Sequence, residues 1–268
     1  MNLTRRREEM LRLLLAEGEV EIAPLAQMFD VSEMTIRRDL EALEAEGHAR
    51  RVRRGAITTV SRSYEPPFAL RTTMATDAKR AIGRAAADLV DDGDSIIIDV
   101  GSTTLELARN VHGRRGLTVL TTSLPIAFEL GRSAEIRVIM TGGEVRPEEF
   151  SLTGSQAEAG FEGLNCDVAF LGVAGLHAER GVTEYNIEDA RVKQAAAKAA
   201  RRCVVLADAT KLGKVTFAGV APITAVDVLI TDAPPDHPVV EATREAGIEV
   251  LSLSAEKEPA DEAAKAAG

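Results

Sequence analysis

Four short polar segments of this sequence each follow a run of aliphatic and β-branched residues. They are Asp99-Val100-Gly101-Ser102-Thr103-Thr104, Thr121-Thr122-Ser123, Thr141-Gly142-Gly143 and Asp208-Ala209-Thr210-Lys211. Small hydroxyl side chains and glycines allow backbone N–H groups to approach an anion, above all where a helix begins. We therefore predict a site for a ligand that carries a phosphate or a carboxylate. Its candidate residues are Asp99, Gly101, Ser102, Thr103, Thr104, Thr121, Thr122, Ser123, Gly142, Gly143 and Lys211, with Asp208 as a further candidate.

Each polar segment also has a simpler explanation on its own. Serine and threonine after a strand are common helix caps, and Gly-Gly is a common turn. Capping without a ligand is therefore the alternative, although four such segments in one sheet favour the ligand. Metal and cofactor sites are not expected, because neither a P-loop nor a Gly-x-Ser-x-Gly motif is present and the four histidines have no ligand spacing.

A second set of candidate residues lies near the N-terminus, where arginines are frequent. A helix that begins after Ser32 would bury Ile36, Leu40 and Leu43 on one face. Its outward-facing residues near the N-terminal end are then Met34, Thr35, Arg37 and Arg38. Arginine in that position can make bidentate contacts with guanine or bind phosphates. This arrangement is typical of the recognition helix of a helix-turn-helix protein.

Two shorter helices and a basic hairpin would surround this recognition helix. The spacing of Met10, Leu11, Leu14 and Leu15 predicts a first helix, and a second runs from about Glu21 to Phe29. The segment Ala49–Ile57 predicts a basic wing along the phosphate backbone. The candidate DNA-binding residues are Ser32, Met34, Thr35, Arg37, Arg38, Arg51, Arg53 and Arg54. The alternative is that this module is a solvated helical bundle or a dimerisation module.

The rest of the chain predicts a larger α/β domain. Its strand candidates are Ser95–Val100, Leu117–Thr121, Ile136–Met140, Val168–Val173, Cys203–Ala207, Val226–Thr231 and Ile248–Leu253. Most of these runs are apolar throughout and alternate with helical patterns such as Ile187–Arg201, which is typical of a parallel sheet buried on both faces. Ligands bind such sheets at the carboxyl ends of the strands, where the four polar segments lie. The expected organisation is residues 1–57 for the DNA-binding domain, 58–76 for an extended linker containing Pro66-Pro67, 77–254 for the ligand-binding domain and 255–268 for a flexible tail.

Composition and charge restrict the class of protein. The chain has 268 residues, of which 45% are hydrophobic and 28% charged, so that a sizeable core and one or two globular domains are expected. The net charge of −10 lies entirely beyond residue 62, because residues 1–62 carry eleven arginines and eleven acidic residues. Two cysteines are too few for a disulfide framework, and no apolar run is long enough to cross a membrane. We expect a cytoplasmic protein with no membrane partner.

The N-terminal module resembles the winged helix of DeoR-family regulators. The resemblance rests on Val31-Ser32-Glu33-Met34-Thr35-Ile36-Arg37-Arg38-Asp39-Leu40, preceded by Leu25–Asp30 and followed by Leu43 and Gly47. The family usually has two adjacent glycines in the wing, and here the first is replaced by Arg54. The resemblance implies a winged helix-turn-helix that binds double-stranded DNA. Because Arg54 changes the wing, the operator sequence of relatives cannot be assigned to this protein.

The remaining chain is similar to the DeoR-family sensor domain. Besides the four polar segments, the order of Arg71, Lys79, Glu188 and Lys193 carries this similarity. The resemblance implies a fold similar to ribose-5-phosphate isomerase, glucosamine-6-phosphate deaminase and CoA transferases. It also implies an effector that is a phosphorylated sugar or a related metabolite. Glu188, Lys193 and Asp208 are weaker effector-site candidates, since Glu188 and Lys193 also fit a solvated helix surface.

These features together predict a DNA-binding transcriptional regulator rather than an enzyme. We expect a repressor of sugar or polyol metabolism genes whose DNA affinity is controlled by a phosphorylated sugar. A homo-oligomer, dimer or tetramer, is expected because one recognition helix reads too few base pairs. The alternative is a sugar-phosphate isomerase-like enzyme with an accessory DNA-binding module, in which Asp99 or Asp208 acts with Lys211 in proton transfer. A regulator derived from a sugar kinase is disfavoured, because about 190 residues after the linker are too few for two kinase lobes.

Overall fold

The computed structural model describes residues 3–45, 48–58 and 62–254. These residues belong to two compact units, and the boundary between the units lies between Met74 and Ala75. The expected tail over 255–268 and Gly47, the expected end of the third helix, lie outside the described residues. In the described part of the chain, no helix is long and apolar enough to cross a membrane.

The N-terminal unit combines four helices with a small antiparallel sheet. Its elements are α1 (Leu3–Glu17), β1 (Glu19–Glu21), α2 (Ile22–Phe29), α3 (Glu33–Ala45), β2 (Ala49–Val52), β3 (Gly55–Thr58) and α4 (Phe68–Arg71). The strands are ordered β1-β3-β2. Asp30 adopts a left-handed conformation with φ of 51°, which ends α2 and forms the turn into α3. The unit is thus a helix-turn-helix followed by a β-hairpin wing.

An aliphatic core holds this unit together. The predicted stripe of Ile36, Leu40 and Leu43 on α3 is buried and packs with Met10 and Leu14 of α1. Burying a side chain of this size contributes about 1.5–3 kcal/mol. The core therefore fixes which face of α3 remains available for DNA.

The segment expected to be an extended linker over 58–76 is different in the structure. Thr58 is still part of β3, and Phe68–Arg71 form α4. Leu70 is buried in the same core as α1 and α3. Pro67 occupies the position just before α4, so the paired prolines lead into a helix, because a fixed φ near −65° suits a helix start as well as an extended chain. The apolar side chains of Phe68 and Leu70 then gain more by burial than by remaining in an exposed connection.

The larger unit is built on a seven-stranded parallel sheet with the order β15-β14-β12-β9-β4-β5-β6. The first half of the unit contains α5 (Thr76–Ala87), β4 (Ser95–Ile98), α6 (Ser102–Asn110), β5 (Leu117–Thr121), α7 (Leu124–Leu130), β6 (Ile136–Met140), β7 (Glu144–Arg146), β8 (Ser151–Thr153) and α8 (Ser155–Ala159). The second half contains β9 (Cys166–Gly172), β10 (Gly175–His177), β11 (Gly181–Glu184), α9 (Ile187–Lys198), β12 (Ala200–Leu206), β13 (Ala218–Ala221), β14 (Val228–Thr231), α10 (Pro238–Glu245) and β15 (Glu249–Ser252), with 3-10 turns at Ala209–Lys211 and Ile223–Ala225.

All seven predicted strands are members of this sheet, and every neighbouring pair is parallel. Three consecutive residues of β4, Ile96, Ile97 and Ile98, are fully buried, as expected for a strand covered on both faces. The chain starts at β4, continues outward to β5 and β6, and then returns to β9 on the other side of β4. This reversal of strand order between β4 and β9 is the position where parallel α/β sheets bind ligands.

Two small antiparallel sheets complete the larger unit. One has the order β10-β11-β13, and the other is the hairpin of β7 and β8. Their strands have only three or four residues, too few for a period-2 pattern to stand out in the sequence. The hairpin lies against the carboxyl end of β5, because Leu152 N–H donates to Thr122 O at 2.8 Å.

Candidate DNA interface and ligand site

The outward face of α3 carries the residues that the sequence assigns to DNA. Met34, Arg37 and Arg38 are exposed, while Ile36 and Leu40 are buried. Arg37 lies 3.6 Å from Glu33 one turn earlier, and both side chains are about half exposed. An exposed pair of this kind contributes little to stability. Both arginines therefore remain accessible to a duplex.

Ser32 and Thr35 have a structural contact in addition to their predicted role. Thr35 N–H donates to Ser32 Oγ at 3.2 Å, and the two hydroxyl oxygens are 2.9 Å apart. Ser32 thus caps α3, which satisfies a backbone donor that the helix itself leaves unpaired. Because the N-terminal end of α3 is exposed, the cap also presents these hydroxyl groups to solvent.

The wing places its predicted arginines in two different environments. Arg53 and Arg54 are exposed in the turn between β2 and β3. Arg51, in contrast, donates from Nε to Glu44 at 2.6 Å and from Nη1 to Glu41 at 2.5 Å. A hydrogen bond from the Arg51 backbone, with the Arg51 side chain, keeps the pKa of Glu44 below its usual value. Arg51 therefore joins the wing to α3, because acidic residues on successive helical turns face it, and it is not a free DNA-binding cation in the described structure.

The replacement of a wing glycine by Arg54 is compatible with the backbone. Arg54 is not among the residues with positive φ, and its carbonyl accepts a hydrogen bond from Ile22 N–H at 2.9 Å. The following Gly55 is required, because a Cβ there would lie 1.8 Å from the carbonyl oxygen of Val20. The wing thus keeps the glycine that packing demands and gains a positive charge at the neighbouring position.

Asp39 has an important role that the sequence did not reveal. It is buried on α3 and accepts hydrogen bonds from Arg6 Nε at 2.7 Å and from Arg7 Nε at 3.0 Å. This carboxylate fixes α1 against α3. The only sequence signal was its position after Arg37-Arg38 on the inward side of the helix.

The strand registers place the polar segments of the larger unit in one row. Ile98 of β4 pairs with Phe170 of β9, and Ile97 pairs with Leu120 of β5. Continuing these registers, Asp99 is level with Leu171 on one side and with Thr122 on the other. The predicted candidates at the ends of β4 and β5 are thus neighbours at the carboxyl edge of the sheet.

A buried ion cluster occupies the position where the strand order reverses. Lys193 Nζ donates to Asp99 Oδ2 and, at 2.9 Å, to Gly172 O, while Glu184 Oε1 lies 3.5 Å away. Burial alone would lower the pKa of Lys193, but the carboxylates of Asp99 and Glu184 outweigh burial and raise it. These contacts favour the ammonium form of Lys193. The prediction of a solvated helix surface is wrong for this residue, since α9 turns it towards the sheet, whereas Glu188 is exposed as that alternative expected.

The start of α6 directly follows this cluster. Gly101 precedes the helix, and Ser102, Thr103 and Thr104 form its buried first turn. A Cβ at Gly101 would lie 3.0 Å from Thr104 Oγ1, so a glycine lets the chain pass close to the helix. The first N–H groups of an α-helix have no partner within the helix and favour an anion. The hydroxyl group of Thr104 donates a 3.0 Å hydrogen bond to Gly101 O.

Several predicted ligand-binding residues have capping or turn roles. Ser123 Oγ accepts from Ile126 N–H at 3.3 Å and caps α7, and Thr121 Oγ1 accepts from Ser123 N–H at 3.0 Å. Asp208 caps the 3-10 turn through Thr210. Gly142 and Gly143 have φ of 82° and 116°, and a Cβ at Gly143 would lie 2.6 Å from Thr153 O. Caps and turns, the alternative to ligand binding, therefore account for the contacts described for these residues.

Lys211 lies close to Tyr185. The Nζ of Lys211 is 5.9 Å from the centroid of the Tyr185 ring, and Tyr185 directly follows Glu184 in the sequence. Arg71 and Lys79, which also carried the resemblance, differ in their surroundings. Arg71 pairs with Glu65 at 3.1 Å within the N-terminal unit, and Lys79 is buried on α5 of the larger unit. Over residues 3–45, 48–58 and 62–254, no three or more His, Cys, Asp or Glu side chains are arranged so that they could hold a metal ion.

Comparison with known proteins identifies both units. The model of the DeoR-like helix-turn-helix domain matches residues 6–62, and the model of the DeoR C-terminal sensor domain matches residues 74–233. Among solved structures, a ribose 5-phosphate isomerase from Methanocaldococcus jannaschii aligns with a TM-score of 0.39 and 20% identity, covering 51% of this chain and 54% of the isomerase.

Whole-length relatives are regulators. The chain is 34% identical to the HTH-type transcriptional regulator GolR of Listeria innocua, covering 91% of this chain and 96% of the relative. It is 32% identical to a putative aga operon transcriptional repressor of Escherichia coli O157:H7, covering 92% of both chains. It is 28% identical to the glycerol-3-phosphate regulon repressor of Escherichia coli K12, covering 90% of this chain and 95% of the relative. With both domain models matched and regulators similar over nearly the full length, this chain belongs to the DeoR family of DNA-binding transcriptional regulators and is not an enzyme.

Proposed function

We propose that this regulator is a cytoplasmic repressor of genes for sugar or polyol metabolism. Its DNA affinity is controlled by a phosphorylated sugar that binds at the carboxyl edge of the parallel sheet. The names of the relatives support this proposal, since they include an aga operon repressor and a glycerol-3-phosphate regulon repressor. The double-stranded DNA operator is contacted by a homo-oligomer, dimer or tetramer, so that two or more recognition helices read successive half-sites.

The main observation in support of this effector site is an unpaired oxygen atom, Asp99 Oδ1, in the buried ion cluster. Asp99 is 2% exposed, and its Oδ2 is bound to Lys193 and Gly172. Its Oδ1 is buried without a hydrogen-bond partner. Native proteins rarely leave a buried acceptor unpaired. A sugar hydroxyl can donate to this oxygen, at the position in the sheet where ligands of this fold class bind.

The phosphate would bind beside this carboxylate, at the start of α6. The backbone N–H groups of Ser102, Thr103 and Thr104 supply donors and the positive end of the helix dipole. Gly101 allows close approach, and Thr122 is level with Asp99 on the neighbouring strand. Lys211, beside Tyr185, supplies a cation at the edge of the site. The remaining candidates, Thr121, Ser123, Gly142, Gly143 and Asp208, support this edge through caps and turns, with Lys193 holding Asp99.

On the DNA side, α3 enters the major groove. Arg37 and Arg38 contact bases or phosphates, Met34 and Thr35 face base edges, and Ser32 fixes the start of the helix. Arg53 and Arg54 bind the phosphate backbone from the wing, and Arg51 holds the wing on α3. The effector changes DNA affinity only by as much as it prefers one of the two states of the protein.

The test is fluorescence anisotropy of the full-length protein with labelled duplex from upstream of its own gene and an unrelated duplex as control. The titration is repeated at several salt concentrations and with a panel of sugar phosphates. We expect specific binding that weakens with salt and that one sugar phosphate lowers. Lys211→Ala should bind DNA normally but respond to the sugar phosphate at about tenfold higher concentration, because a charge-assisted contact is lost.

Three results would contradict the proposal or one of its parts. Specific DNA binding that ignores every sugar phosphate would remove the effector class and leave the DNA-binding role intact. A normal effector response in Lys211→Ala would remove Lys211 from the site. Tighter binding in the presence of the sugar phosphate would show activation or co-repression in place of release.

A further inference from the structure

The hairpin of β7 and β8 borders the carboxyl end of β5 and has one polar face. Arg146 of β7 pairs directly with Ser151 of β8, and Ser151 in turn forms an antiparallel bridge with Ser123. Directly opposed residues of antiparallel strands have their side chains on the same face. Arg146, Ser151 and Ser123 therefore form a row on one side of the hairpin, although only Ser123 belonged to the predicted site.

The direction of that face is set by α9. Arg146 Nη1 donates to Asp189 Oδ2, which also accepts from Asn186 Nδ2 at 2.6 Å. Asp189 and Lys193 are four residues apart on α9, so they lie on the same face of the helix. Lys193 binds Asp99 at the position where the strand order reverses between β4 and β9. One helix face thus connects the hairpin row to the buried cluster of the effector site.

Ser151 has an unsatisfied hydroxyl group on this face. It is 1% exposed, and its Oγ has no hydrogen-bond partner. Asp99 Oδ1 is the other such buried side-chain atom in the described part of the chain. Arg146, held by Asp189, keeps a side chain that is 28% exposed. A donor, an acceptor and a partly exposed guanidinium therefore surround the same edge of the sheet.

The charge of these groups restricts what they can bind. Arg146 and Lys193 contribute two positive charges, and Asp99, Glu184 and Asp189 contribute three negative charges. Among these five described groups, the carboxylates therefore outnumber the cations by one. These groups include both hydrogen-bond donors and hydrogen-bond acceptors, which suits neutral hydroxyl groups.

We propose that Arg146 and Ser151 form a second subsite that binds the hydroxyl groups at the non-phosphorylated end of the effector. The subsite selects monophosphates with a neutral polyhydroxyl end over phosphorylated sugar acids. A carboxylate there would meet the surplus negative charge of Asp99, Glu184 and Asp189, and like charges at close range are strongly unfavourable. This inference rests on the proposed effector function and assigns its ligand class and two further binding residues.

The first experiment measures binding to the full-length protein by calorimetry with matched pairs of compounds. One pair is glycerol 3-phosphate and 3-phosphoglycerate, and the other is glucose 6-phosphate and 6-phosphogluconate, with ribose 5-phosphate, fructose 6-phosphate and inorganic phosphate added. We expect at least one neutral-ended monophosphate to bind, and its acid counterpart to bind at least about tenfold more weakly. An acid that binds as well as or better than its neutral counterpart would overturn the inference.

The second experiment repeats the titration with Ser151→Ala and Arg146→Gln. Ser151→Ala removes one oxygen without a partner, so folding should be preserved and affinity should fall about 2- to 10-fold, the usual effect of one neutral hydrogen bond. Arg146→Gln should lower affinity further. Inorganic phosphate should bind both variants as it binds the original protein, because its site is the start of α6. The matched controls are Ser155→Ala and Arg137→Gln, because the side chains of Ser155 and Arg137 are exposed.

The outcomes separate the two proposals. Unchanged sugar-phosphate affinity in both variants would overturn the hairpin subsite and leave the effector function standing. Loss of inorganic phosphate binding together with sugar phosphate would also overturn it, because the hairpin would then act on the phosphate or on the fold. Failure of every sugar phosphate to bind the original protein would overturn the effector function and, with it, this inference.

Discussion

The N–H of Gly172 at the end of β9 donates a 3.1 Å hydrogen bond to Oδ2 of Asp99, the residue that follows β4. The same oxygen accepts the ammonium group of Lys193, which also binds Gly172 O at 2.9 Å. Two strands that are far apart in the sequence are thus connected by one carboxylate and one amine at the point where strand order reverses. The floor of the proposed effector site depends on charges that are themselves buried, so the stability of the larger unit and its ligand affinity should change together.

Lys193→Met should therefore strongly destabilise the larger unit. It removes the buried ammonium group with which Asp99 and Glu184 both pair, and breaking a buried ion pair on one side costs about 3–5 kcal/mol. Urea unfolding followed by circular dichroism measures the loss. Lys198→Met, on the exposed side of the same helix, should change the free energy of unfolding by less than about 0.5 kcal/mol.

The loss of unfolding free energy caused by Lys193→Met should depend on pH. Burial raises the pKa of Asp99, and without Lys193 the main opposing charge is gone. A carboxyl whose pKa is higher in the folded than in the unfolded state binds its proton more tightly when folded, so folding gains stability as pH falls through the raised pKa. The variant should thus be closer to the original protein at pH 5 than at pH 8. A deficit that is constant or grows towards pH 5 would exclude an uncompensated Asp99.

Asp39→Asn should destabilise the N-terminal unit in particular. The substitution leaves the buried Arg6 and the half-buried Arg7 without their carboxylate, and we expect a loss of about 3 kcal/mol. Scanning calorimetry should show a lower transition for this unit and an unchanged one for the larger unit. Glu8→Gln, an exposed acidic residue of α1, is the control. Equal shifts of both transitions would contradict a role restricted to the N-terminal unit.

The sequence predicted the seven-stranded sheet well because its strands are buried on both faces and consist of continuous aliphatic runs. Ile96, Ile97 and Ile98 are a clear example. Where composition and packing disagree, the prediction failed. The alanine-rich run after Ile187 predicted a helix to Arg201, but β12 begins at Ala200, because Ala200 pairs with Cys166 and extends the sheet. Helix propensity is a weak preference that strand pairing easily overrides.

The candidate site was predicted only in part, for a related reason. Polar residues directly after apolar strands are visible in a sequence, and they led to Asp99 and to the start of α6. Arg146, Asp189 and Glu184 were missed, because they come from the hairpin, α9 and β11 and meet only through the crossings of the chain. Lys193 was ambiguous for the same reason, since a lysine in an alanine-rich helix has no local signal that it is buried.

Arg37→Ala and Arg38→Ala should each weaken operator binding while leaving the fold intact, because both side chains are exposed on α3. A base contact should cost about 1–3 kcal/mol at the operator, whereas a phosphate contact should lower the affinity for every duplex and reduce the salt slope by about one. Anisotropy titrations at several salt concentrations distinguish these cases. Arg84→Ala, an exposed arginine of the larger unit, removes the same charge as a control. Unchanged affinity in both α3 variants would mean that α3 is not the recognition helix.

The ion pairs of Arg51 lead to the opposite expectation for DNA affinity. Glu41 and Glu44 on α3 bind Arg51 at 2.5 and 2.6 Å, so the wing arginine is neutralised next to the surface that should face the duplex. Replacing both with glutamine removes two negative charges and frees one guanidinium for phosphate. The variant Glu41→Gln/Glu44→Gln should bind DNA more tightly, with a salt slope steeper by about one.

The gain should extend to unrelated duplexes, because phosphate contacts carry no sequence information. The ratio of operator to unrelated affinity should therefore fall. Adding Arg51→Ala to the double variant supplies the control, since it should return the salt slope to its original value. The double variant could instead bind DNA more weakly and keep its salt slope. In that case the ion pairs of Arg51 hold the wing in a DNA-binding position, and Arg51 is a positioning residue that does not contact the duplex.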